Sequence, residues 1–240
     1  MEAFILQLGS FWESFKLDFI NNFITDNRWK YLVSGLGNTF LITFFAVLIG
    51  IALGFLVAII RSTADKTGKL GFANFLCKIY LTIIRGTPVM VQLLIIFYVI
   101  FGSIHIDKRL VAIISFGINS GAYVAEIVRS GIMSVDTGQF EAGRSLGFTY
   151  AQTMAHIIMP QAFKNVLPAL GNEFIVLLKE TSICGYIGLI DLTRGGDIIR
   201  SRTFSAFMPL IAVALIYLCI VMLLSTLVNR LERRLRVNER

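Results

Sequence analysis

Five long apolar runs separated by short polar intervals organise this chain: Leu32–Ile60, Ile79–Phe101, Leu110–Val128, Leu167–Leu189 and Phe204–Val228. Crossing a bilayer as a helix takes about 20 residues, and each run supplies that length. In hydrocarbon every backbone N–H and C=O must find a partner inside its own segment, so the runs are predicted to be helices rather than open strands. None alternates with the two-residue period of a membrane barrel. Ahead of them Phe4, Leu8, Phe11, Phe15 and Phe19 recur every three to four residues beside Trp12. That is the stripe of an amphipathic helix lying in an interface, the alternative being a poorly ordered tail. Charged residues interrupt the segment and no basic start precedes it, so it does not read as a cleavable signal. The expectation is an all-α membrane protein with an N-terminal amphipathic helix in 1–30 at the outer interface, five transmembrane helices in 31–230 and a basic tail in 231–240.

Composition supports lipid as the solvent. Hydrophobic residues make up 56% of 240 and charged residues 15%, with mean hydropathy +0.75. Soluble domains carry roughly 25% charge, so this chain lacks the polar surface to dress a water-soluble globule. A net charge of +7 would suit nucleic acid, but the basic residues cluster in the gaps between apolar runs, which favours a membrane and no nucleic acid. One alternating set of gaps holds twelve Lys and Arg, among them Arg61, Lys66, Lys69, Lys78, Arg129, Arg144 and Lys164; the other set holds eight. The richer set is expected to be cytoplasmic, placing the N-terminus outside and the C-terminus inside. Cys77, Cys184 and Cys219 lie far apart with no CxxC pair and read as packing residues.

Between Arg129 and Lys164 lies a stretch too polar to cross a membrane yet patterned for structure. Asp136 suits an N-cap, with Gln139 placed to reach back to it. The helix then runs through Phe140 and Ser145 to Gly147, a natural stop. Thr149 opens a second helix with Gln152 three positions on, and that helix is expected to end at Pro160. Local chemistry thus predicts two short helices joined at Gly147 and Phe148, a rigid elbow suited to docking.

The same residues carry a resemblance. Glu141-Ala142-Gly143, then Gly147, Ile157 and Pro160 resemble the EAA signature of permease subunits in ATP-binding-cassette importers, with Gly143 in place of the second alanine and Met159 in place of a leucine. Gly143 is expected to loosen its helix by about 1 kcal/mol relative to Ala. Arg85-Gly86-Thr87-Pro88 followed by Gln92, Gly121-Ala122-Tyr123 with Glu126 and Arg129, and Lys179-Glu180-Thr181-Ser182 resemble segments of the polar amino-acid branch of those permeases. The resemblance implies a type I importer permease fold in a bacterial cytoplasmic (inner) membrane, with coupling loop 136–160 seated in a separate ATPase subunit. It also implies a second permease subunit, as homodimer or heterodimer, and an extracytoplasmic amino-acid-binding protein. Because the chain has no GxxxxGK[ST] phosphate loop, it is expected to hold no cofactor and not to be an enzyme, with ATP and Mg bound by the partner ATPase.

Polar residues inside the apolar runs are candidates for the cargo pathway. Pro88 should bend the second run near Arg85–Gly86, exposing polar groups around Arg85, Thr87 and Gln92, or else merely shaping packing with Arg85 reaching the headgroups. Asn119, Tyr123 and Glu126 share one helical face. Glu126 against lipid would cost at least ~2.5 kcal/mol, so it should face protein or water, either at cargo or as a helix anchor paired with a cation. Glu173, Lys179 and Glu180 mark the fourth run as a site or as a self-neutralising interface, and Glu180 to Ser182 as a helix end near an outer gate. Gly50/Gly54 and Gly117/Gly121 form two GxxxG motifs, read as close helix contacts. The alternative function is an ion-coupled secondary amino-acid transporter using Glu126, Glu173 and Glu180. An intramembrane enzyme is disfavoured, since His105 and His156 are isolated and no HExxH occurs.

Overall fold

A computed structural model describes residues 12–237, and these are helical with connecting turns and no strands. The elements are α1 (12–19), α2 (Trp29–Thr67), α3 (Gly71–Gly86), α4 (Val89–Ile95), α5 (Lys108–Met133), α6 (Thr137–Ser145), α7 (Tyr150–Thr153), α8 (Met159–Glu180), α9 (Leu192–Thr203) and α10 (Phe207–Val237). Phe4, Leu8 and Phe11 of the amphipathic stripe lie outside the described residues; Trp12, Phe15 and Phe19 are exposed.

Among the described residues three helices are long and apolar enough to cross a membrane: Trp29–Asp65, Lys108–Met133 and Phe207–Leu235. The second run does not form one kinked helix. It divides into Gly71–Gly86 and Val89–Ile100, bent by 109° at Thr87–Pro88. Pro88 lacks a donor and forces Thr87 out of the α region, and Thr87 has φ −123°, ψ 148°. The fourth run is α8 followed by a 3₁₀ turn, Thr181–Ile187; its polar Glu173, Lys179 and Glu180 make it less apolar than its neighbours.

The chain forms two compact units. The described parts of Met1–Leu41 and Thr181–Ile220 make one; Ile42–Glu180 and Val221–Arg240 make the other. In the first, Phe23, Leu32, Leu192, Ile199 and Val213 form the core. Gly35 and Gly195 let α2 meet the α9 segment backbone to backbone: a Cβ on Gly35 would stand 2.4 Å from the Asp191 carbonyl oxygen, and one on Gly195 2.5 Å from that of Tyr31. In the second unit α5 is the central helix, buried along most of its length. The two GxxxG motifs interlock there as expected. A Cβ on Gly50 would lie 2.7 Å from Ser120 Oγ, on Gly54 2.5 Å from Val124, and on Gly117 2.7 Å from Ile49. Removing those side chains lets two helices approach closely enough for van der Waals packing to hold them where no hydrophobic effect operates between lipid-immersed helices. Against this, α10 and the outer side of α2 leave Phe44, Phe45, Leu48, Leu215, Leu218, Met222 and Leu223 exposed. Cys77 and Cys184 are buried, but Cys219 is exposed on α10 rather than packed.

Candidate functional site: the elbow and the polar face of α5

The elbow begins at Asp136, whose carboxylate accepts a hydrogen bond from Gly138 N. Gln139 does not reach back to close a capping box. Its Oε1 instead accepts from Gln161 Nε2 at 3.2 Å, and Gln161 also donates to the Ile157 carbonyl, which ties α6 to α8. At its other end α6 stops as a Schellman motif. Phe148 N donates to Gly143 O and Gly147 N to Arg144 O, with Gly147 at φ +79°. Thr149 and Gln152 then form the full capping box of α7.

The second helix does not end at Pro160. A π turn over Met154–Ile158, closed by Met159 N donating to Met154 O, feeds directly into α8. The wider turn changes the hydrogen-bond register just where Pro160 has no donor, so the helix passes through it. Under the elbow Val135, Ile158 and Ala162 form a small core, and the Phe140 and Tyr150 rings stack at 6.4 Å. Burial there raises the Tyr150 hydroxyl pKa above its ordinary value.

Gly143 serves a purpose its helix propensity does not reveal. A Cβ there would lie 2.6 Å from Thr153 Cγ2 and 2.7 Å from its Oγ1, so glycine lets α6 press onto α7. The expected coupling residues therefore separate by role. Glu141, Ala142 and Gly147 are exposed together with Arg144, Leu146 and Phe148; Gly143 is buried, Ile157 half-buried, and Pro160 opens α8.

Along α5 a second constellation forms. Gln92 Nε2 donates to Ile84 O at 2.7 Å, Thr87 O at 3.0 Å and Thr87 Oγ1 at 2.9 Å, while its Oε1 accepts from Asn119 Nδ2 at 3.0 Å. These bonds take up carbonyls freed at the 109° break, so Thr87, Gln92 and Asn119 together clasp the turn. Two turns further along α5, Glu126 accepts from Arg61 at 2.9 Å, with Arg85 Nη1 at 3.6 Å, and the Arg85 guanidinium lies 5.9 Å from the Tyr123 ring centre. Arg85 is thus turned to Glu126, and Glu126 ties α2, α3 and α5 together. Glu173 is buried and accepts from Ser120 at 2.9 Å.

Tyr123, Glu126 and Glu173 line one cavity of about 630 Å³ with Lys164, Asn165 and Asn172. Lys179, Glu180 and Ser182 do not line it. Lys179 is exposed on α8, Glu180 half-buried at its end, and Ser182 lines a separate cavity with Thr193, Arg194 and Arg200. Sequence reasoning missed Arg61, Ser120, Asn172 and Lys164. Arg61, which directly follows the first apolar run, signals only topology in the sequence. No group of three His, Cys, Asp or Glu side chains fit to hold a metal occurs among the described residues.

Known proteins resemble this chain over most of its length. Residues 50–237 match the family described as binding-protein-dependent transport system inner membrane component. The putative glutamine transport system permease protein GlnP of Rickettsia typhi is 39% identical over 212 residues, spanning 87% of this chain and 94% of that protein. Its Escherichia coli K12 counterpart is 36% identical over 198 residues, 81% and 90% of the two chains. Among solved structures, an amino acid ABC transporter with histidines superposes with TM-score 0.79 at 44% identity, covering 88% of this chain and 98% of that one. The inward-facing MetNI methionine ABC transporter gives TM-score 0.73 at 21% identity, which shows the shared fold. This chain belongs to the family of inner membrane components of binding-protein-dependent transport systems.

Proposed function

We propose that this chain is the transmembrane subunit of an ATP-driven amino-acid importer, and that force enters it through the α6–α7 elbow. The observation that carries this reading is the elbow itself. A Schellman stop and a capping box fix the turn between two helices, and Leu146 and Phe148 are exposed at that turn, as are Glu141 and Arg144 on α6. Exposed apolar side chains on a braced turn suit a socket in another subunit.

Five crossings follow if α3 and α4 count as one bent crossing and α8 with its 3₁₀ extension as another. With the N-terminus and the 1–30 interfacial segment outside, the 136–160 elbow and the 231–240 tail lie in the cytoplasm. The elbow of each of two permease subunits, identical or paired with a relative, sits on an ATPase subunit that binds ATP and Mg. Nucleotide-driven closure then rocks the two membrane subunits between inward- and outward-facing states. A binding protein delivers cargo to the outer face, where Lys179, Glu180 and Ser182 border the gate. The names of the relatives, glutamine and amino-acid transporters, support an amino acid as cargo. Glu173, Tyr123 and Glu126 wall the pathway, and the Thr87–Gln92–Asn119 clasp holds its bent helix. Membership of a binding-protein-dependent family favours this reading over the ion-coupled alternative.

The test is uptake of radiolabelled amino acids by vesicles carrying the reconstituted complex. Uptake should require ATP inside and the ATPase subunit. Uptake that follows an imposed ion gradient without the ATPase would overturn the reading.

A further inference from the structure

Arg61, Lys78 and Arg85 converge on a cavity of about 500 Å³ that also reaches Thr82, Leu81, Gly86 and Glu126. Among the described residues Glu126 is the one carboxylate in its lining, and it is already engaged by both arginines. Three cations against one anion leave two positive charges uncompensated. Lys78 is exposed and forms no ion pair among the described residues, and Arg61 Nε is enclosed without a hydrogen-bond partner. An anion is the missing element.

The helix that supplies the wall indicates where the anion comes from. At 100° per residue α3 has three faces. Cys77 and Leu81 pack inward; Phe72, Phe75, Leu76, Ile79 and Ile83 are exposed and apolar; Lys78, Thr82 and Arg85 form a polar stripe between the two. In a membrane protein an exposed apolar face meets acyl chains. A cationic stripe along its edge then lies where phosphates of the same lipids sit. A soluble anion would have no use for Phe75 and Ile79.

We propose that the Arg61–Lys78–Arg85 cavity is a binding site for the phosphate of an anionic phospholipid, whose acyl chains lie on the Phe72/Phe75/Ile79 face of α3. The bound lipid neutralises the cations beside the Thr87–Pro88 break and so stabilises the bent α3–α4 unit. The inference requires only that the chain reside in a membrane and is independent of the cargo.

The test is native mass spectrometry of the intact detergent-purified complex titrated with dioleoylphosphatidylglycerol, with dioleoylphosphatidylcholine in parallel. Tight binding of one phosphatidylglycerol per copy of this chain, in preference to phosphatidylcholine, is expected. Lys78→Gln should weaken it about fivefold, Lys78→Glu further, and Lys78→Arg should restore it. Lys30→Gln, which removes an equal charge elsewhere, should leave it unchanged. Because Lys78 is solvent-exposed, gel filtration of each variant complex should match wild type, which separates lost lipid from lost fold. Equal binding of the two lipids, or phosphatidylglycerol binding indifferent to Lys78→Glu, would overturn the proposal. Displacement of the lipid by millimolar inorganic phosphate would overturn it in favour of a free anion.

Discussion

At the scale of single residues, Gly143 and Asp191 carry separate tests. An alanine at 143 improves helix propensity by about 1 kcal/mol, yet its Cβ would sit 2.6 Å from the buried Thr153 methyl. Overpacking of this kind costs about 1–3 kcal/mol, so the clash wins. Gly143→Ala should lower the Tm of the purified complex, and adding Thr153→Ala should recover most of the loss. The sequence showed Gly143 only as a departure from a pattern; its partner Thr153 lies on the next helix, and no local rule connects the two.

Asp191 caps α9, accepting from Thr193 N at 2.9 Å, but it is fully buried and its Oδ1 has no partner. Burial, partly opposed by the backbone N–H bonds, pushes its pKa up to about 6 from 3.8. A raised carboxyl pKa means the folded state disfavours the anion. Its stabilising contribution is therefore whole below about pH 4 and lost as pH rises through about 6, on the order of 3 kcal/mol in all. Thermal unfolding should give a lower Tm at pH 8 than at pH 5. Asp191→Asn, which keeps a cap and cannot ionise, should flatten that difference.

At the scale of elements, two turns set the molecule's working geometry. Gly147 is held at φ +79°, where a β-branched residue is strongly disfavoured. Gly147→Val should abolish ATP-driven uptake while the protein still inserts and fractionates with the membrane; normal uptake would remove the elbow from the mechanism. The α3–α4 break depends on Gln92, which serves Ile84 O, Thr87 and Asn119 together. Gln92→Leu strands the buried Asn119 amide, at about 1–3 kcal/mol, and breaks part-buried bonds to Ile84 and Thr87. It should therefore lower Tm more than Gln161→Leu, which breaks two part-buried bonds at the elbow and strands no fully buried group.

The elbow was legible in advance because caps and a positive-φ glycine act within a few residues. The break was only half legible. Pro88 announced a bend, but neither its 109° angle nor the bond to Gln92 from Asn119, 27 residues away, could be read from it. Pro160 misled for a related reason: a proline ends a helix only if the preceding turn keeps its register, and the π turn at Met154–Ile158 changes it.

At the scale of the whole molecule, the hydrophobic pattern revealed the fold class because lipid leaves the backbone few choices. The interlocked GxxxG motifs then identified which faces of α2 and α5 meet. Long-range charge pairing was hidden: Glu126 was assigned to protein or water on energetic grounds, yet nothing in the pattern chose Arg61, 65 residues away, as its partner. In the proposed mechanism a separate ATPase grips the exposed tip of the α6–α7 elbow. A photo-crosslinking amino acid placed at Leu146, 71% exposed, in the complete complex tests it most directly. The prediction is an adduct with the ATPase subunit whose yield changes with ATP, and none from the same probe at Phe204, which is 96% exposed and outside in the proposed topology. An adduct at Phe204 but not at Leu146, or labelling of Leu146 by a membrane-impermeant reagent from outside the cell, would contradict it.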